Sequence, residues 1–133
     1  MSPAFLLDTH ILIRWLTEPS RLSSSQSRVL REVVLRQAAV AVSAITLLEL
    51  AQMAVRDRRT KLAAAETLRE LEENPAFTVL PLTIPIAREV PPLMRVLRDP
   101  ADCIIAATAR VHGLRLLTSD QRILDANVVS TID

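Results

Sequence analysis

The sequence predicts an α/β protein in which helices cover both faces of a parallel β-sheet. Short apolar runs alternate along the chain with longer stretches in which apolar residues recur at helical spacing. Alternating strands and helices are typical of parallel sheets, and strands that are apolar on both faces are typical of sheets buried on both sides. The predicted architecture is therefore three-layer α/β/α, with a central parallel sheet of four to five strands.

The first half of the chain contains two predicted strands, each followed by helices. Each strand is a short apolar run, and each helix shows apolar residues every three or four positions. Serine is a favoured N-cap residue, so the serines of this half mark helix starts. In order, the prediction is a strand at 4–7, a helix at 10–16, a helix from the serines at 23–25 to about Gln37, a strand at 39–42 and a helix from 44, after the cap Ser43, to about 56.

The second half repeats this alternation, and prolines and one glycine mark its boundaries. The basic residues at 56–61 end the preceding helix. Pro91-Pro92 predicts a break, because proline lacks the amide hydrogen that a helix interior needs. Gly113 is the only glycine of the chain and predicts a helix end. In order, the prediction is a helix at 62–73, a strand at 77–80, two short helices within 84–97, a helix at 101–111, a strand at 114–118, a short helix and a small strand near 128–129.

Composition favours one globular domain that spans residues 1–133. Half of the residues are hydrophobic and 23% are charged, as in folded globular proteins. No apolar run reaches the roughly 18–20 residues of a membrane helix, and no secretory leader opens the chain, so we expect a cytoplasmic protein without membrane contact. The single cysteine, Cys103, excludes an internal disulfide and a cysteine-based zinc site. The net charge of +1 does not by itself indicate a nucleic-acid-binding surface.

Four acidic residues lie in apolar surroundings, at the ends of predicted elements or inside an apolar helix. Ligands of open α/β sheets bind at the carboxyl ends of the strands, near the point where the strand order reverses. Crowded carboxylates repel one another and require a compensating positive charge. No lysine, cysteine or histidine cluster accompanies them, and oxygen ligands alone suit Mg²⁺ or Mn²⁺. The four candidate catalytic acids are Asp8, Glu49, Asp102 and Asp120.

Simpler structural roles exist for most of these acids. Asp8 and Asp120 could each cap the helix that follows. Asp99, which is followed by proline, is a common helix start, and it places Asp102 in the first helical turn, where an acid meets the helix dipole. Glu49 has no such role, since acids on an apolar helix face are usually paired or bound to metal. The hydroxyl groups of Thr9, Ser43 and Ser119 could support the site or act as ordinary caps.

Four stretches of the chain carry a resemblance to a known family. They are residues 7–16, 43–51, 98–109 and 112–120, and each contains one of the four acids. They span almost the whole chain in the family's order, which is far more specific than any one motif. On these stretches the chain resembles PIN domains, and closely the VapC-type toxins of bacterial toxin–antitoxin pairs.

The resemblance implies a metal-dependent endoribonuclease. It implies that Asp8, Glu49, Asp102 and Asp120 are the acids of the site and that Asp99 lies beside them. Mg²⁺, with Mn²⁺ as a substitute, would be held by Asp8, Asp102 and Asp120 and would activate a water for attack on phosphorus. Glu49 would bind the metal through a water or help to hold the nucleophile.

The resemblance also implies partners: an RNA substrate, a VapB-type antitoxin docked in an apolar groove, and a second copy of the chain in a homodimer. Trp15 and Leu16 are candidate anchors for the antitoxin. A basic segment could bind the RNA backbone, with a solvated helix end as the alternative interpretation. Its residues are Arg56, Arg58, Arg59 and Lys61.

Two departures from the family and two alternative functions accompany this interpretation. Cys103 stands where related sequences often carry arginine, and residues 57–61 lack a glycine that is common at that turn. A phosphotransfer domain with an aspartyl nucleophile also places an aspartate after its first strand, but Asp8 has no second acid two residues on. The stronger alternative is a catalytically silent PIN-like module that binds RNA or protein, although such a module would have no need of all four acids.

Overall fold

The computed structural model describes residues 2–133, which form a five-stranded parallel sheet between layers of helices. The strand order is β3-β2-β1-β4-β5. The strands are β1 (Phe5–Leu7), β2 (Val40–Ser43), β3 (Phe77–Leu80), β4 (Arg115–Leu117) and β5 (Thr131–Ile132). The helices are α1 (Thr9–Thr17), α2 (Ser24–Leu35), α3 (Ala44–Met53), α4 (Arg58–Glu73), α5 (Ile84–Leu93), α6 (Pro100–His112) and α7 (Gln121–Ala126), with a 3₁₀ turn at Pro19–Arg21.

The central strands divide the core into two halves, as the predicted three-layer α/β/α architecture requires. Successive strand residues point to opposite faces of a sheet, so Leu6 and Leu7 of β1 lie in different apolar clusters. Both leucines are fully buried, which confirms the prediction of strands apolar on both sides. The Leu6 face is covered by α5 and α6 and the Leu7 face by α1 and α2, through Ile86, Ile105, Ile11 and Leu30, respectively.

The strand order reverses between β1 and β4. The chain runs from β1 outward through β2 to β3 and then returns to the other side of β1 for β4 and β5. Leu7 of β1 pairs with Leu117 of β4, and the amide of Asp8 donates a hydrogen bond to the Leu117 carbonyl at 3.0 Å. The residues that follow both strands therefore lie side by side at a switch point, where ligands of α/β sheets bind.

The prediction of two short helices around Pro91 and Pro92 is wrong, because α5 continues through both prolines to Leu93. Proline removes a helical hydrogen bond to the carbonyl four residues earlier. Here those carbonyls belong to Ala87 and Arg88, which are exposed and can bond to water. The missing bonds thus fall in the last turns of the helix and on its solvent side, where they cost little.

The end of α3, the start of α4 and the position of the final strand are also corrected. α3 ends at Met53 and α4 begins at Arg58, four residues before its predicted start, because Asp57 caps α4 by accepting the Thr60 amide at 2.9 Å. The final strand lies at Thr131–Ile132 instead of 128–129. The two valines at 128–129 pack against the core on the Leu6 face, and only the residues after them reach register with β4.

No helix within residues 2–133 has both the length and the apolar character that crossing a membrane requires.

Gly113 ends α6 as predicted, in the left-handed conformation with φ of 65°. A Cβ at this position would meet no atom within 4 Å, so the constraint is the backbone angle and not space. L-residues other than asparagine and aspartate rarely adopt this conformation. The backbone conformation alone therefore favours glycine at position 113.

We expect Gly113→Ala to lower the free energy of unfolding by about 1 kcal/mol. Alanine is strained at positive φ, which destabilises the folded chain. The lower flexibility of alanine in the unfolded chain offsets part of this loss. Gly113→Asn is the matched control and should lose less, since asparagine tolerates this conformation. Urea unfolding measures both. Equal losses in the two variants would contradict the backbone explanation.

Candidate active site

Asp8 lies immediately after β1 and is only 6% exposed. Its Oδ1 accepts the Thr9 amide at 2.8 Å, and its Oδ2 accepts the Thr118 hydroxyl at 2.7 Å. Burial raises the pKa of Asp8 above its usual value, although the Thr118 hydrogen bond opposes this effect. The two hydrogen bonds fix the orientation of the carboxylate, and each oxygen keeps a lone pair for a further partner.

Thr118 connects Asp8 with the fourth acid. Its hydroxyl donates to Asp8 and accepts the backbone amide of Asp120 at 3.1 Å. The side chain is fully buried directly after β4. The sequence interpretation proposed the neighbouring Ser119 and missed Thr118. The available signal was position: a hydroxyl residue at the end of a strand paired with β1.

Gln26 supports the same loop from α2. Its Nε2 donates to the Ser119 hydroxyl at 3.0 Å and to the Thr118 carbonyl at 3.4 Å. Its backbone and side chain also complete a capping box with Ser23 at the start of α2. The serine-to-glutamine spacing is a recognisable cap signal, but nothing in it indicates a contact with residues more than 90 positions away. Gln26 is therefore a second residue that the sequence did not reveal.

Glu49 is brought to the site by α3 and is held by Thr9. The Thr9 hydroxyl donates to Oε1 of Glu49 at 2.5 Å and lies 2.9 Å from the hydroxyl of Thr46. Since a hydroxyl carries one proton, Thr46 donates to Thr9. Burial raises the pKa of Glu49, and the charges of Asp8 and Asp99 add to this effect, against the Thr9 hydrogen bond. The structure thus places the candidate Thr9 in contact with Glu49, together with Thr46, which the sequence analysis did not name.

Among the four acids, Asp102 has the pKa that departs most from its usual value. It lies in the first turn of α6 and is 8% exposed. Burial raises the pKa of Asp102 to about 7, with further contributions from the negative charges of Asp99, Asp120 and Asp8. The repulsion from these three acids shows that all of them lie within electrostatic reach of Asp102.

The pKa of Asp120 is lowered instead of raised, because an arginine binds its carboxylate. Arg122 donates from Nη2 to Oδ2 at 3.0 Å and from Nε to Oδ1 at 3.3 Å. These hydrogen bonds hold the pKa of Asp120 below its usual value. The same Nη2 lies 3.6 Å from Oδ2 of Asp102, so one guanidinium faces two of the four acids.

Several candidate residues also perform the capping roles that the sequence allowed. Asp99 caps α6 by accepting the Ala101 amide at 2.9 Å, and Ser43 caps α3 by accepting the Ile45 amide at 3.2 Å. Asp120 caps α7 through the Arg122 amide. Capping and a place at the acidic site are therefore not exclusive alternatives.

The basic segment and the apolar anchors lie in different places. Arg56, Arg58, Arg59 and Lys61 are exposed around the start of α4, and Arg59 pairs with Glu18 at 3.1 Å. A cleft of about 550 Å³ between α1 and α4 is lined by residues that include His10, Arg14 and Arg59.

Trp15 and Leu16 line a separate groove of about 640 Å³, together with residues at the end of α2 and the beginnings of β2 and β3. Trp15 packs edge to face on Phe77, with ring centroids 5.8 Å apart. The acids follow the ends of strands, whereas this groove lies where strands begin. The acidic site and the apolar groove therefore lie at opposite ends of the sheet.

As the side chains stand, no three acidic, histidine or cysteine groups among residues 2–133 are arranged to hold a metal ion. The chemistry of the donors nevertheless fits a hard divalent cation. The group offers only oxygen ligands, and burial with mutual repulsion raises the pKa of Asp8, Glu49 and Asp102. A cation would relieve that repulsion.

The fold and the acids together define an α/β domain with a candidate site at the carboxyl ends of β1 and β4. Residues 5–129 match the family model of the PIN domain. The chain belongs to the PIN domain family.

Known proteins of similar sequence and structure agree with this assignment. Ribonuclease VapC22 of Mycobacterium tuberculosis is 34% identical over 120 residues, which cover 89% of this chain and 88% of that protein. The crystal structure of FitAcB from Neisseria gonorrhoeae is 26% identical with a TM-score of 0.70, covering 97% of this chain and 96% of that chain. DNA-bound VapBC from Salmonella typhimurium shares the fold with a TM-score of 0.75 at 20% identity, covering 99% and 98%.

The raised pKa of Asp102 predicts that this carboxylate destabilises the metal-free fold. Between about pH 4 and about pH 7 the folded chain binds this proton more tightly than the unfolded chain does. The free energy of unfolding should therefore fall as the pH rises through that window. We expect Asp102→Asn, in EDTA, to raise the free energy of unfolding above about pH 7 by about 1–3 kcal/mol.

Urea unfolding of the wild type and Asp102→Asn across this pH range measures the effect. The difference in free energy of unfolding between the two proteins should be small near pH 4, grow towards about pH 7 and then level off. Glu66→Gln removes an exposed acid of α4 and is the control, with no such pH dependence. A constant difference at every pH would contradict the electrostatic explanation.

Proposed function

We propose that this chain is a divalent-metal-dependent endoribonuclease that serves as the toxin of a toxin–antitoxin pair. The observation that carries the proposal is the group of desolvated carboxylates at the β1–β4 switch point, in a PIN-family chain. The 34% identity to Ribonuclease VapC22 supports RNA as the substrate. The raised pKa values of Asp8, Glu49 and Asp102 support a cation as the missing partner of the acids.

Asp8, Asp102 and Asp120 are the proposed metal ligands. Mg²⁺, or Mn²⁺ in its place, would supply a bound water of lowered pKa and positive charge beside the phosphorus. Asp8 is held ready for this role because Thr9 and Thr118 each bind one of its oxygens. Asp120 lies on the same loop as Thr118 and is oriented by it.

Glu49 is the proposed positioning group for the attacking water. Its Oε1 is bound by Thr9, so its other oxygen can accept a proton from a water. Burial raises its pKa, and a carboxylate with a raised pKa is a better proton acceptor near neutral pH. Thr9 fixes this side chain relative to Asp8, because its hydroxyl donates to Glu49 and its backbone amide donates to Asp8. Thr46 supports the Thr9 hydroxyl.

RNA contacts are proposed for the basic segment at the start of α4. Exposed arginine and lysine side chains bind phosphates without reading sequence. The cleft beside this segment is lined by residues that include Arg14, Arg59 and His10, and His10 follows Asp8 by two residues. An RNA strand that follows this cleft would bring its backbone from the arginines to the acids.

The proposed protein partners are a VapB-type antitoxin and a second copy of the chain. Several structural relatives are complexes by their names, among them VapBC from Salmonella typhimurium and a toxin–antitoxin complex from Klebsiella pneumoniae. The groove beside Trp15 and Leu16 is apolar and open, which suits an amphipathic peptide. It is the proposed antitoxin contact.

We expect Asp8→Asn and Asp120→Asn each to lower RNA cleavage in Mg²⁺ or Mn²⁺ by about 100-fold or more, because each removes a negative ligand worth roughly 3 kcal/mol in the transition state. Asparagine keeps the capping ability of aspartate, so the fold should survive. The control is Asp125→Asn, which removes an exposed acid of α7 and should cleave normally.

Gel-based cleavage of a broad RNA panel, with circular dichroism to verify folding, measures these effects. Full activity in both site variants would refute the nuclease proposal. Metal binding by a wild-type chain that cleaves no RNA would favour the silent binding module instead.

We expect Arg58→Gln with Arg59→Gln to weaken RNA binding and to reduce the slope of log K against log salt by roughly 1.4, since each lost phosphate contact with a single strand removes about 0.7. Fluorescence anisotropy in EDTA and in the Asp120→Asn background, where cleavage is strongly reduced, measures the slope. The matched control is Arg69→Gln with Arg115→Gln, which removes two exposed charges elsewhere. An equal change in both pairs would assign the effect to net charge and not to contacts.

A further inference from the structure

Arg122 is the one arginine or lysine that pairs with acids of the candidate site in the described residues 2–133. It forks onto Asp120 through Nε and Nη2, at 3.3 and 3.0 Å. Its Nη2 also lies 3.6 Å from Oδ2 of Asp102. A single guanidinium group therefore pairs with two acids that come from different elements, Asp102 of α6 and Asp120 at the cap of α7.

The local fold does not favour a cation at this position. Arg122 is the second residue of α7, and the amino-terminal end of a helix favours negative charge over positive charge. Its side chain is 70% exposed, whereas the side chain of Asp102 is 11% exposed. The guanidinium is thus held by the two carboxylates and can return to solvent easily, while Asp102 cannot.

A divalent cation bound between these two carboxylates would lie where the guanidinium group of Arg122 now places its positive charge. Mg²⁺ binds carboxylate oxygens at about 2.0–2.1 Å, and Nη2 of Arg122 uses Oδ2 of both Asp102 and Asp120. The displaced side chain can turn towards solvent, because it is already 70% exposed and lines an open cleft of about 210 Å³ together with Asp102.

We propose that Arg122 is an internal counter-cation, which occupies the place between Asp102 and Asp120 in the metal-free chain and competes with the divalent ion for both carboxylates. It therefore weakens metal binding and stabilises the empty site. This inference rests on the proposed function, in which Asp102 and Asp120 bind the ion.

The test is the affinity for Mn²⁺ alone, measured by electron paramagnetic resonance on protein freed of metal with EDTA. We expect Arg122→Gln to bind Mn²⁺ about three- to tenfold more tightly than the wild type, since an exposed ion pair no longer competes. Arg122→Lys keeps the charge and loses the fork, so its gain should be smaller. Asp120→Asn should abolish the tight binding in every background, which places the ion at this site.

Two controls separate contact from charge. Arg98→Gln removes a cation that lines the same cleft without an ion pair to the acids, and Arg115→Gln removes one that binds Ser130. Both should bind Mn²⁺ as the wild type does. A second readout is thermal unfolding: without metal, Arg122→Gln should melt below the wild type, and saturating Mn²⁺ should remove most of that difference.

The possible results are distinct. Unchanged or weaker Mn²⁺ binding by Arg122→Gln, with normal binding by the wild type, overturns this inference and leaves the proposed metal site standing. An equal gain in Arg98→Gln also overturns it, because net charge then accounts for the effect. No Mn²⁺ binding by the wild type or by any variant overturns both the inference and the proposed metal dependence.

Discussion

The hydrogen bond from the Thr118 hydroxyl to Asp8 is the interaction on which the rest of the site depends. It joins the residues that follow two paired strands, β1 and β4, and it is buried. A carboxylate as buried as Asp8 is stable only when its oxygens have partners, and Thr9 supplies the other one. Because the Thr118 hydroxyl also accepts the Asp120 amide, the position of the fourth acid follows from the same contact.

Uncharged hydrogen-bond donors orient Asp8 and Glu49, so the negative charges of these two acids are not compensated. Threonine hydroxyls bind Asp8 and Glu49, and no lysine or arginine in the described residues pairs with either acid. Hydroxyl groups fix direction without adding positive charge, so burial and repulsion still raise the pKa of both carboxyl groups. Arg122 supplies one positive charge to Asp120 and Asp102 from a solvent-exposed position. The metal-free fold therefore retains an electrostatic cost that a cation would remove.

The sequence predicted those features that local patterns carry and missed those that depend on distant contacts. Strand ends and helix caps are local, so the positions of Asp8 and Asp120 and the left-handed Gly113 could be predicted. Thr118 meets a residue 110 positions away, and Gln26 meets one 92 positions away. No periodicity or propensity encodes such pairs. The proline error has the same origin, since the cost of a proline in a helix depends on which face is exposed.

Capping and charge act through the same side chains at this site. Asp8, Asp99 and Asp120 each accept an amide at the start of a helix, and those helices carry the core on both faces of the sheet. Removing such a side chain with alanine would combine a lost cap, worth about 1 kcal/mol, with a lost charge. Asparagine caps a helix as well as aspartate does and has no charge. Replacement by asparagine therefore separates charge from capping best at Asp99 and Asp120. At Asp8 it also turns one of the two oxygens that accept Thr9 and Thr118 into an amide donor, so a loss of function there combines the lost charge with a lost buried hydrogen bond.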